Sequence, residues 1–224
     1  MATNRLRPDW GRLAGSHPVL DAVPARLRAS ACVQACAQGA IVHRVGDRVR
    51  NVYAVLTGEL RLLRTSHEGR EIILQRARTG FVAEASVQHR TYHCDIAAAV
   101  DSEVLAFPAK AFCDALDRDR SFRSAWIEHL SRELRLQRTR SERLGLRGAA
   151  ERICHCIDTE GVNGVLTLTQ SRRAWGLELG LTHEALYRTL ARLQASGRLV
   201  ISGSTLVLAR APLAVGKSGA GGPT

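Results

Sequence analysis

The chain has 224 residues, 45% of them apolar and 24% charged. This is a folding composition that excludes a disordered polyelectrolyte and leaves room for one large domain or two modest ones. Thirty-two basic against twenty-one acidic side chains leave a formal charge of +11, which points to nucleic acid or an anionic surface as a partner. No run approaches the roughly 18–20 apolar residues of a membrane span, and the N-terminus lacks the apolar stretch of a secretory signal. A cytoplasmic protein with no membrane partner is expected, its six cysteines reduced and forming no disulfide framework.

In chain order, residues 1–34 read as a short helical lead-in that Pro18 and Pro24 keep from forming one long helix. Residues 35–108 are punctuated by Gly39, Gly46, Gly58, Gly69 and Gly80 into β-branched runs such as AIVHRV, VYAVLT, ELRLLRT and EIILQRA. Such spacing predicts a sandwich or barrel. The run DIAAAVDSEVLAF reads as a strand pair turning at Asp101-Ser102.

From Phe112 to Leu146 there is no Pro, and no Gly before Gly145. Ile127, Leu130, Leu134, Gln137, Ser141 and Leu144 follow a 3,4,3,4,3 step, the a/d seam of a helix pair. Residues 109–147 are thus expected to be a dimerisation helix and hinge, the alternative being a helix packed on its own β-domain. Gly145 and Gly148 interrupt it, and AAERICHCIDTEG resumes it. From Leu166 come a β-like LTLT, a helix over 172–179, Gly180, a helix over 183–196, Gly197 and the hairpin RLVISGSTLVL turning at Gly203-Ser204. Residues 148–210 form one domain in this reading, and the small, Gly-rich residues 211–224 a disordered tail.

Two short helices around a tight Gly-containing turn form a helix-turn-helix pattern. Ser171 and Thr182 are placed to cap the helices, and Gly180 sits where a positive φ is needed. Trp175, Leu179, Leu186, Leu190 and Leu193 would lock the pair, leaving Glu184, Arg188 and Ala191 on the opposite face between Tyr187 and Arg192. Arg offers guanine a bidentate pair and Glu accepts from cytosine N4, whereas without context the same two residues would be an ordinary i,i+4 salt bridge. The surrounding pattern favours base reading.

The stretch GLTHEALYRTLARLQASGRLVISGSTLVL, with its LGLT, its E-x-x-x-R and its G-R-L-x-x-x-G, resembles the bacterial transcription regulators of the Crp/Fnr (cyclic-AMP receptor protein / fumarate-nitrate regulator) family. The likeness covers about residues 35–209. It implies an α+β fold: an N-terminal β-roll like the cyclic-nucleotide-binding jelly roll, a long dimerisation helix and a C-terminal winged helix-turn-helix. It further implies a homodimer on an inverted repeat in double-stranded DNA, with half-site centres about one helical turn apart. RNA polymerase is the further partner implied. The DNA-side residues would be Ser171, Arg172, Thr182, His183, Glu184, Tyr187, Arg188 and Arg192, with Glu184 and Arg188 matching the family's base readers and a TGA/TCA-like core. His183 falls at a specificity position that varies between subgroups, and His183 and Tyr187 depart from both best-known subgroups.

The effector region is Glu84, Arg90, Thr91, Tyr92, His93 and Cys94. Nucleotide-binding members carry Gly-Glu near the ribose and Arg followed by Ser or Thr at the phosphate. This chain has Ala83 before Glu84, and Tyr92-His93 at the Arg-Ser positions, which disfavours cyclic AMP unless a two-residue slip recruits Arg90-Thr91. His93-Cys94 is a candidate haem or metal pair, and Cys94 alone a candidate redox thiol with its pKa lowered by a basic neighbour. The cofactor stays unknown at this stage and no metal site is assigned. Cys32 and Cys36 would share one side of a helix and need Cys94 or Cys113 to complete an iron–sulfur set; Cys154-His155-Cys156 is too tight for zinc and reads as packing.

An enzyme of cupin type would need a His/carboxylate set spread over the barrel strands, which His43, His67, His89 and His93 do not provide, so no enzyme is expected. A β-roll regulating a partner protein would need neither the helix-turn-helix nor a basic stripe. Residues 118–152 hold ten Arg against five acids and 171–210 six against two, nine of the eleven excess charges. A polyanionic duplex explains why acids thin out there.

Overall fold

The computed structural model describes residues 6–69 and 71–209, and the tail expected at 211–224 lies outside the described residues. The chain divides into two compact units, Met1–Glu133 and Leu134–Thr224. Among the described residues no helix is long and apolar enough to cross a membrane.

The first unit opens with α1 (Trp10–Leu13), α2 (Pro18–Asp21) and α3 (Ala25–Ser30). Pro18 occupies the first turn of α2 and Pro24 the N-cap of α3, positions where a fixed φ and a missing N–H cost nothing. These residues are more than a lead-in: Val19, Leu20, Val23 and Leu27 are buried in the unit's core.

The strands follow as β1 (Cys32–Cys36), β2 (Ile41–His43), β3 (Asn51–Thr57), β4 (Leu60–Thr65), β5 (Glu71–Ala77), β6 (Gly80–Val82), β7 (Asp95–Ala98) and β8 (Ser102–Pro108), with a 3-10 turn at Glu84–Ser86. They make two antiparallel sheets, ordered β1-β8-β3-β6 and β2-β7-β4-β5. The first is buried on both faces. Tyr53, Val55, Val104 and Ala106 join one core cluster with Leu60, Leu62 and Ile96 of the second sheet, while Val52, Ala54, Leu105 and Phe107 join another with helical residues. Burial on both sides is why VYAVL and VLAF are unbroken apolar runs.

Two expectations need correction here. Cys32 and Cys36 lie on a strand, β1, and the β-domain begins there. The strands of DIAAAVDSEVLAF do not pair with each other; β7 pairs with β2 and β4, and β8 with β1 and β3. The chain crosses between sheets at this corner, where Ser102 Oγ donates to Val100 O and accepts from Glu59 N.

Glu59, beside that corner, receives Arg61 Nε at 2.9 Å, Arg76 at 2.7 Å and Arg78 Nε at 2.9 Å. Burial alone would raise its pKa, but the three guanidinium hydrogen bonds outweigh it and hold the carboxyl below the usual range. A depressed folded-state pKa contributes stability that is complete above the unfolded value near 4.5 and is lost as pH falls through the folded value. Glu59→Gln should cost about 1.5–3 kcal/mol at pH 7 and flatten the loss of stability below pH ~4.5, as read by urea unfolding across that range. An unchanged acid limb would deny Glu59 this role.

After β8 come α4 (Ala109–Arg118) and α5 (Arg120–Gly145), so the helix expected to run unbroken from Phe112 is two. At Asp119 the backbone turns extended, and its Oδ1 accepts Phe122 N–H at 2.9 Å, starting α5. Phe122, Trp126 and His129 share a buried stripe of α5. Trp126 lies 5.0 Å from Phe112 and 5.1 Å from Phe81, centroid to centroid and edge to face. Ile127, Leu130, Leu134, Gln137, Ser141 and Leu144 are all exposed.

The second unit holds α6 (Ala149–Glu160), β9 (Val165–Thr167), α7 (Arg172–Glu178), α8 (His183–Ala195), β10 (Leu199–Ser202) and β11 (Thr205–Leu208), with the strands ordered β10-β11-β9. Trp175, Leu179, Leu186, Leu190 and Leu193 bury together with Ile153, Cys156 and Ile157 of α6. Gly180 has φ +65°, as the α7–α8 turn requires. Arg143, buried at the end of α5, binds Glu160 at 2.6 Å and Thr159 at 3.1 Å. Trp175 Nε1 donates to Cys156 Sγ at 3.3 Å, and burial pushes that thiol up to about 11, in keeping with a packing role.

Candidate functional site

The exposed face of α8 carries His183, Glu184, Tyr187, Arg188, Ala191 and Arg192, opposite the buried Leu186, Leu190 and Leu193. Thr182 Oγ1 accepts Ala185 N at 3.1 Å and Ser171 Oγ accepts Ala174 N at 3.2 Å, so both hydroxyls cap helices. Arg188 and Glu184 form an exposed pair at 3.1 Å. The ring of His183 rests on that of Tyr187, centroids 4.4 Å apart. Arg172, expected on the DNA side, donates to Gly203 O at 2.8 Å and so fastens the β10–β11 turn to α7. Sequence reasoning passed over Arg152, whose guanidinium donates to Leu146 O at 2.9 Å and Leu179 O at 3.2 Å, tying α6 to the end of α7. Its only signal was an arginine beside an apolar helix stripe.

The expected effector residues differ in exposure, Tyr92 and Cys94 being buried and Arg90, Thr91 and His93 exposed. Ala83 stands in the left-handed region, φ 60° and ψ 32°, a conformation that costs a residue with a Cβ roughly 1–2 kcal/mol. The next residue, Glu84, turns to α5: its Oε1 lies 2.9 Å from His129 Nε2, with side chains only 8% and 4% exposed. His17 packs edge-on against His129 at 5.3 Å, and burial, then His129 and Arg132, hold it down to about 4. His129 escaped the sequence reading because its stripe with Phe122 and Trp126 overlaps the more regular seam.

Tyr92 is buried, its hydroxyl donating to Asn51 O at 2.7 Å and its ring stacked on His43 at 3.4 Å. Burial, then neighbouring Tyr53, push its pKa to about 12. Arg90, Thr91 and His93 are exposed. His93 Nδ1 lies 2.7 Å from Ser86 Oγ and Nε2 3.6 Å from Cys94 Sγ. Cys94 is fully buried and burial raises its thiol to about 11, correcting the expectation of a thiolate activated by a basic neighbour. A thiol so enclosed offers no face to a porphyrin, which also corrects the haem reading of His93-Cys94.

Cys113 lies on α4 with Sγ 3.6 Å from Val87 O, and among the described residues no group of three or more His, Cys, Asp or Glu is set to hold a metal. The iron–sulfur set is therefore not brought together. The carboxylate expected at the ribose is engaged by His129, and Tyr92, which the sequence count sets at the phosphate-binding arginine's position, is buried and hydrogen-bonded to Asn51 O.

A profile of the cyclic nucleotide-binding domain matches residues 33–119. No curated protein matches the chain. Among solved structures, FixK2 from Bradyrhizobium japonicum is similar at 26% identity over 80% of this chain and 93% of that one, with a TM-score of 0.64. The c-di-GMP-responsive global regulator CLP of Xanthomonas campestris is similar at 22% identity over 82% and 96%, TM-score 0.60. A transcriptional regulator of the CRP family from Thermus thermophilus follows at 18% over 78% and 91%, TM-score 0.57. Residues 33–119 thus match the cyclic nucleotide-binding domain, and the chain shares its fold with solved transcription regulators, the CRP family among them.

Proposed function

We propose that the chain is a homodimeric, sequence-specific DNA-binding transcription regulator whose second unit is a winged helix-turn-helix acting on an inverted repeat, and whose β-roll senses an effector other than cyclic AMP. The observation that carries this is α8. Its leucine stripe is buried against α6 and α7, and that leaves Glu184 and Arg188 85% and 72% exposed on the opposite face, beside a hairpin held by Arg172. An arginine and a glutamate so presented match the hydrogen-bonding edges of a G·C pair in the major groove. The same face brings His183, Tyr187 and Arg192 to the duplex, with the capped helix starts at Ser171 and Thr182 toward the phosphates.

The dimer rests on the seam of α5, where Ile127, Leu134 and Leu144 are each at least half exposed, an apolar ridge that a second copy would cover. The test is a gel shift with the promoter upstream of the chain's own gene under excess unrelated DNA. A shift that survives the competitor is expected. Leu134→Glu should elute as a monomer on size-exclusion chromatography and lose the shift. Equal competition by unrelated DNA would overturn the proposal.

A further inference from the structure

On the reading of α8 as the base-reading helix, we propose that Tyr187 reads a thymine methyl group next to the base pair taken by Glu184 and Arg188, and that His183 is its positioning residue. At about 100° per residue, His183 and Tyr187 lie side by side along one flank of the exposed face, Glu184 and Arg188 along its middle. Tyr187 is 40% exposed and belongs to no core cluster. Its ring is nevertheless held: His183, one turn earlier, packs on it with centroids 4.4 Å apart and planes tilted by 36°. A tyrosine braced in this way keeps a flat apolar surface in place and loses little side-chain entropy when that surface is covered. Ala191, one turn further on, adds only a methyl group, so nothing on α8 crowds the ring from that side.

In the major groove the partner for such a surface is the C5-methyl of thymine, the one apolar group a base presents there. Glu184 and Arg188 supply hydrogen bonds to a neighbouring G·C pair, and Tyr187 adds a contact that no donor or acceptor can make. The wheel places that contact to one side of the G·C pair, so the thymine belongs at one fixed position in each half-site.

The experiment selects duplexes from a random library with the full chain, then replaces each conserved thymine of the selected site by deoxyuridine, which removes only the methyl. Replacing that thymine in one half-site should weaken wild-type binding about fourfold, the worth of one buried methyl group. Tyr187→Ala should be indifferent to that replacement and Tyr187→Phe should keep the wild-type response, while His183→Ala should reduce it. Indifference of the wild type to every replacement, or an equal response in wild type and Tyr187→Ala, overturns the proposal while the DNA-binding reading stands. A library that yields no shared sequence overturns the DNA-binding reading and this inference with it.

Discussion

Arg188→Ala should reduce binding to the selected operator almost to the level of unrelated DNA, while leaving the dependence on salt nearly as steep as before. A bidentate arginine contact discriminates by about 1–3 kcal/mol, and a symmetric dimer loses it in both half-sites. The salt slope counts neutralised phosphates, which other arginines would supply. The fold is not at stake, because Arg188 and its partner Glu184 are 72% and 85% exposed and such a pair contributes about 0.3–0.5 kcal/mol. Titrations on operator and random DNA at several salt concentrations separate the two quantities. Equal weakening on both DNAs with a shallower slope would mean that Arg188 touches only phosphate.

Removing His129 should be among the most damaging single changes to the first unit. His129→Ala leaves the Glu84 carboxylate buried without its partner, a loss of about 3–5 kcal/mol by the usual behaviour of broken buried pairs. Glu84→Gln keeps an oxygen that accepts from the imidazole and should lose less. The double replacement Glu84→Ala, His129→Ala should be less destabilising than the sum of its parts, since neither variant side chain strands the other. Denaturant unfolding of the four proteins measures this coupling. If Glu84→Ala left stability unchanged and altered only the response to an added ligand, Glu84 would return to the effector site and the link to α5 would be incidental.

The second unit's fold and the exposed face of α8 were legible for the same reason: each rests on local rules. Cap residues at Ser171 and Thr182, a positive φ at Gly180 and a leucine stripe on α8 depend on neighbours a few residues away, and they stand where the spacing placed them. What the sequence concealed depends on long-range partners. Asp119 divides a helix without help from glycine or proline, because its side chain satisfies an amide that an unbroken helix would have bonded internally. Strands β7 and β8 adjoin in sequence yet belong to different sheets, a matter of topology that no local pattern records. The effector region was the least legible part. Glu84 was placed by its neighbours in sequence, whereas its behaviour is governed by a histidine 45 residues away. Cys94 was judged by the basic residue beside it, whereas burial dominates its chemistry.

The indole–thiol contact between Trp175 and Cys156 has an optical consequence. The chain's other tryptophans, Trp10 and Trp126, belong to the first unit's core, so emission divides by unit. The Cys156 thiol, 3.3 Å from the indole nitrogen, should quench Trp175 while its helices stay packed. Partial unfolding of the second unit alone would register as a rise in intensity, giving that unit a built-in fluorescent gauge of its own integrity.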